Sequence, residues 1–170
     1  MTTSMNNKTD FDFYAYAARL AEKNKLARKA GFYNCTCSGI NHLEGILQKF
    51  RTQKAFVCTS DVTEGSTTQR SGGWMKRRIF TVFILHRFKP GYMEDYEEKM
   101  ELCRELFRQF QSRMLRDALK FQDEMCQLNL QDIRSRELGG LFLNGCTGLY
   151  FMVSMDEPVN LCYDDGEWDD

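Results

Sequence analysis

Large apolar residues recur every seven positions across residues 91–130, at Met93, Met100, Phe107, Met114, Phe121 and Leu128. Tyr96, Cys103 and Phe110 add the intermediate positions of a helical stripe. A repeat of this kind demands one long amphipathic helix, here placed between two β-rich regions. The intermediate position then falls on Asp117 and Glu124, and Ala118 and Met125 take over one residue later. A coiled-coil seam keeps its register, whereas a straight helix of about 3.6 residues per turn drifts in this way. The stripe therefore reads as the inner face of a helix lying across a sheet, bent or interrupted over residues 111–118. Its charges run from acidic (Glu94, Asp95, Glu97, Glu98, Glu101) to basic (Arg104, Arg108, Arg113, Arg116, Lys120), which opposes the helix dipole at both ends.

Residues 1–9 read as a flexible arm and residues 12–30 as a first helix. Its apolar face is Phe13, Tyr16, Ala17, Leu20, Ala21 and Leu26; its solvent face is Arg19, Lys23, Lys25, Arg28 and Lys29; Gly31 stops it. Residues 35–41 read as a polar turn before a helix over 42–50, with Asn41 and Glu44 as its capping box. A strand covers residues 54–60. Residues 61–73 hold no large apolar residue except Val62 and read as an exposed, mobile loop. The strongest strand spans 74–88, with Phe80, Val82, Ile84 and Phe88 on one face and Ile79, Phe83 and Leu85 on the other. Both faces need cover, one from the long helix and the other from the N-terminal helices or a neighbouring subunit.

Beyond the long helix, residues 131–137 read as a connection or short helix, and 138–143 as the start of a strand. Asn144-Gly145 makes a turn, residues 147–155 a strand, and Asp156-Glu157-Pro158 another turn. Val159, Leu161 and Tyr163 alternate as a last strand, followed by an acidic C-terminal tail, 164–170, with five carboxylates. The expected fold is one α+β domain over residues 10–163. It has a mostly antiparallel sheet of about four strands, a long helix packed across it, and N-terminal helices.

A formal net charge of −1 over 170 residues argues against general affinity for nucleic acid. No stretch approaches the ~20 apolar residues of a membrane span, and residues 1–10 lack the apolar core of a secretory signal. Seven cysteines, an odd number, read as reduced thiols in a cytoplasmic setting. The close pair Cys35 and Cys37, with two histidines in the chain, matches no zinc spacing. No phosphate-binding glycine loop is present, and no cofactor is expected. Cys58 with His86 is the one dyad open to a hydrolase reading, and no third group orients it.

The run Lys76-Arg77-Arg78 beside Trp74, with Arg70 upstream, is the most distinctive charged feature. It suits a solvated strand end, a phosphate backbone, or an acidic protein surface. The chain carries its own acidic segment, and self-complementary charge suits head-to-tail assembly.

A helical N-terminus, a strand, a long loop, a strong strand, a crossing helix and a final strand pair resemble the tail-terminator and tail-completion (head–tail joining) proteins of tailed bacteriophages. Residues 61–73 match the family's loop, 78–88 its strong strand and 93–116 its crossing helix; residues 117–145 are an addition. The likeness covers roughly residues 50–163 and is one of topology, without a diagnostic motif. It implies a non-enzymatic virion or prophage assembly subunit that forms a homo-oligomeric ring on tail-tube or connector proteins, in the host cytoplasm and the assembled virion. Arg70, Trp74, Lys76, Arg77 and Arg78 would then lie at an interface or face a lumen through which DNA passes. The alternative is a small cytoplasmic binding or regulatory domain that dimerises through the long helix.

Overall fold

The computed structural model describes residues 11–121 and 126–169, without the side chains of 140–142. Its axis is the strand β4 (Gly73–Arg87), whose centre alternates β-branched and aromatic side chains on both faces. Along one edge runs antiparallel β6 (Cys146–Pro158), paired from Met75↔Pro158 to Arg87↔Cys146. Two strands share the other edge. β2 (Ala55–Ser60) takes residues 82–86, and β3 (Glu64–Arg70) takes residues 73–79. β1 (Phe32–Cys37) lies outside β2, and β5 (Gln127–Phe142) lies outside β6.

Helices cover the two faces unequally. α1 (Phe13–Lys23), α2 (Lys25–Lys29) and α4 (Met93–Phe121) pack on one face, over Phe80, Val82, Ile84, Leu149, Phe151 and Val153. Phe13 stacks on Phe80 at 4.3 Å between ring centroids, and Phe107 on Phe151 at 4.8 Å. α3 (Gly39–Lys49) covers the opposite face at one end only, placing Leu43, Ile46 and Leu47 over Phe56, Cys58, Phe83 and Leu85. The rest of that face, including Met75, Ile79, Thr81, Met152 and Ser154, stays half-exposed. Arg87 locks α3 in place. Its guanidinium donates to the carbonyls of Leu47 and Phe50 at the helix's negative end, and to those of Gln53 and Asn144.

The sheet has six strands rather than about four, and it is mixed rather than mostly antiparallel. β1 takes residues 35–37 of the expected polar turn at 35–41, and α3 takes 39–41; β1 runs parallel to β2 because α3 is the crossover between them. α3 starts earlier than expected, so Asn41 lies inside it, and the Ser38 N–H donates to His42 Nδ1 at 3.0 Å. The expected loop at 61–73 contains β3. Thr67 and Thr68 favour extended backbone, but with every β3 side chain exposed no apolar alternation marks it. β5 takes in the strand start expected at 138–143, but it begins at Gln127. Residues 131–137 are strand rather than a connection or short helix, and their mostly exposed polar side chains hide it, although Leu128, Leu130 and Ile133 reach the core.

The expected turn at 156–158 is the end of β6, and residues 159–163 form no strand. The Val159 N–H still donates to Trp74 O at 3.0 Å before the chain leaves the sheet. The expected first helix is broken at Asn24, whose extended backbone lets its side chain cap α2 by accepting from the Ala27 N–H. α4 runs without the interruption expected at 111–118 and is helical through Phe121. Met93, the first of the heptad series, is exposed, and Leu128, the last, belongs to β5. Glu124 and Met125 lie outside the described residues. Asp117 stays within the buried stripe, because it accepts from Tyr16 Oη at 3.2 Å and Arg113 Nε at 2.7 Å. Among the described residues no helix is long and apolar enough to cross a membrane.

At Gly148 β6 passes so close to β4 that an added Cβ would run into the Ile84 carbonyl, and its φ of +141° disfavours any side chain. Gly148→Ala is expected to lower stability by about 3 kcal/mol or more in urea unfolding. Gly45→Ala, in an open position inside α3, should raise it by about 0.5–1 kcal/mol in the same experiment.

Candidate functional site

Successive residues on a strand point to opposite faces, so Lys76, Arg77 and Arg78 divide between the two sides of β4. Asp156 and Glu157 on β6 divide likewise, in register with Arg77 and Lys76. On the open face Asp156 accepts from Arg77 Nε at 2.6 Å and Arg77 Nη2 at 2.8 Å, and from Arg70 Nη2 at 2.8 Å. On the helical face Glu157 lies 3.0 Å from Arg78 Nε and 3.6 Å from Lys76 Nζ. The Arg78 guanidinium also sits over the Phe80 ring and donates to the Phe11 carbonyl. The predicted basic run is thus clamped between β3, β4 and β6 by two carboxylates from the expected turn.

The clamp is asymmetric in solvation. Asp156 and Glu157 are only 5% and 4% exposed, whereas the Arg70 and Arg77 side chains are 47% and 39% exposed. The cost of desolvation therefore falls on the acids, which need their cations more than the cations need them. The Arg77 guanidinium hydrogen-bonded to Asp156, with further attraction from Arg70, holds the Asp156 carboxyl below its ordinary value. With Glu64 at the start of β3 counted beside Asp156 and Glu157, four cations meet three carboxylates, which leaves a small excess of positive charge. Trp74 stands beside the Ser71-Gly72 turn, 41% exposed. All five predicted residues are therefore brought together on one hairpin, with Arg70, Lys76, Arg77 and Arg78 ion-paired inside it.

The same hairpin has an open edge. β3 pairs only with β4, and its other edge meets no strand among the described residues. Residues 65–69 (Gly-Ser-Thr-Thr-Gln) contain no charge and no proline, the usual guards of an edge. β5, by contrast, carries Asp132, Arg134, Arg136 and Glu137 and two register shifts.

A groove of about 550 Å³ lies between α1 and the second half of α4, a surface that periodicity alone did not reveal. Tyr16, Leu20, Phe110 and Phe121 form its buried apolar lining. Arg19, Lys23, Lys25, Arg113 and Lys120 rim it. Only Arg113 of these is ion-paired among the described residues, to Asp117. Burial, with Asp117 beside it, pushes the Tyr16 hydroxyl up, so it stays protonated.

The Cys58–His86 dyad does not form. Cys58 pairs with Phe83 and faces α3, whereas His86 pairs with Ala55 and faces the other side, edge-on to Phe32. Contacts with the Cys35 and Cys37 thiols, and burial, hold the Cys58 thiol protonated. Burial pushes the His86 pKa down. Among the described residues no group of three or more side chains is arranged to hold a metal ion.

Asp156→Asn is expected to cost about 1–3 kcal/mol at neutral pH, read as a lower urea midpoint. Because the folded pKa of Asp156 is depressed, its contribution is complete above the ordinary carboxylate value of about 4 and is lost as the pH falls through the folded value. The gap between the two proteins should close over that acidic range. No protein-family model and no curated protein sequence matches the chain.

Proposed function

We propose that this chain is a non-enzymatic assembly subunit that closes into a ring with copies of itself, of the kind that terminates or completes the tail of a tailed bacteriophage. The observation that carries the reading is the outer edge of β3, uncharged over residues 65–69, on a hairpin held rigid by Asp156 and Glu157. An open edge of this kind is completed by a strand from another chain, with backbone hydrogen bonds supplying affinity. Head-to-tail contacts of one type close into a ring when the rotation per subunit allows it. The half-exposed part of the sheet face beside β3 offers further contact area, and the excess positive charge of the hairpin suits a lumen that passes DNA. Tail-tube or connector proteins would be the axial partners, in the host cell and then in the virion.

A second reading rests on Leu115 and Leu119, which lie one turn apart on the outer side of α4 and are 58% and 70% exposed. They suit a two-fold helix contact in a small binding or regulatory domain.

Light scattering after size-exclusion chromatography separates the readings. The ring reading expects a closed assembly of more than two subunits whose mass is unchanged by Leu119→Glu. A dimer that Leu119→Glu converts to monomer would support the second reading, and a monomer at every concentration would reject both.

A further inference from the structure

We infer that the groove between α1 and α4 is the docking site for the acidic segment around Trp168 of a neighbouring copy. This inference rests on the assembly reading above and names a second contact within it. From sequence, the acidic segment pairs most naturally with Lys76, Arg77 and Arg78. In the structure those cations are already ion-paired to Asp156 and Glu157, which weakens their hold on a further carboxylate. The cations left without an ion pair among the described residues include Arg19, Lys23, Lys25 and Lys120, gathered on one groove.

The segment matches the groove in two respects. In charge, Asp164, Asp165, Glu167 and Asp169 are exposed, and no ion pair among the described residues engages any of them. In shape, Trp168 is 61% exposed in the middle of these acids, with the Tyr163 ring stacked on it. The groove offers the complement, a rim of cations around an apolar lining of Leu20, Phe110 and Phe121. Its volume of about 550 Å³ falls in the range of clefts that take drug-sized ligands, room for an indole and neighbouring side chains. An aromatic anchor in an apolar pocket with complementary charge at the rim is the usual plan of a peptide contact.

Local contacts order the segment. Asp164 Oδ1 accepts from the Gly166 N–H at 2.9 Å, residues Asp165–Glu167 form one 3-10 turn, and Tyr163 stacks on Trp168 at 6.3 Å. The segment leaves the sheet beside Trp74, at the hairpin end of β4. A neighbour that pairs along β3 would bring a second copy to that end, where this segment can reach it.

The test uses the full chain carrying Trp168→Ala, Asp165→Asn and Glu167→Gln, so that its own segment does not compete. A fluorescent peptide of residues 161–170 is titrated against it and followed by anisotropy. Saturable binding is expected, weakened about tenfold or more by Lys23→Glu with Lys120→Glu, and weakened by raising salt well above 0.1 M, where the Debye length is about 10 Å. Absence of saturable binding, or binding indifferent to those groove charges, would overturn the inference. So would Trp168 fluorescence in the unmodified chain that responds to Lys23→Glu with Lys120→Glu but not to protein concentration, since that places the segment in its own groove. Light scattering on the unmodified chain keeps the failures apart. An assembling chain that ignores the peptide rejects only the groove contact, whereas a chain that stays monomeric rejects the ring reading whatever the peptide does.

Discussion

The hydrogen-bond ladder on both edges of β4 is the constraint on which the rest of the molecule depends. A strand apolar on both faces needs partners on both edges and cover on both sides, and each neighbouring element answers one of these needs. β6 completes one edge along nearly its full length, and β2 with β3 completes the other. The long helix and the N-terminal helices cover one face; α3 covers part of the second. At Gly148 two ladder strands approach too closely for any side chain.

The acidic pair Asp156-Glu157 then decides what the outer half of β4 can do. Adjacent residues on β6 take opposite faces, so two carboxylates can hold four cations from both sides of the sheet. Without them Lys76, Arg77 and Arg78 would repel one another along the hairpin. With them the hairpin becomes a stiff, positively charged edge, and the interaction surface moves from the basic side chains to the backbone of β3 and the groove beside α4.

Much of this was legible in the residues, and the failures have common physical causes. The long helix, the double-faced central strand, the strand at 147–155 and the helix covering residues 42–50 all carry large apolar side chains at a clear period. β1, β3 and β5 do not, because an edge strand is held mainly by its backbone and its side chains meet solvent. Missing β1, β3 and the 127–137 part of β5, where a connection or short helix was expected over 131–137, made the sheet seem smaller and more uniformly antiparallel than it is. Asp117 looked like a break in the stripe because its partner, Tyr16, lies 101 residues away in the chain. Asp156 and Glu157 resembled a turn before proline for the same reason, since their cations lie on other strands. The groove was invisible because it belongs to two helices at once, and periodicity describes only one helix at a time.

A fold of this kind leaves the chain with more to bind than it covers by itself. The sheet face beside β3 is half-open, the β3 edge is uncharged over residues 65–69, and groove and acidic segment match each other. The most direct measurement of whether copies of the chain complete one another is amide hydrogen exchange over residues 64–70, followed across a wide range of protein concentration. Pairing of β3 with a second copy predicts that its outward-facing amides slow as concentration rises, while amides in β4 do not change. Equally fast exchange in β3 at every concentration would contradict the account.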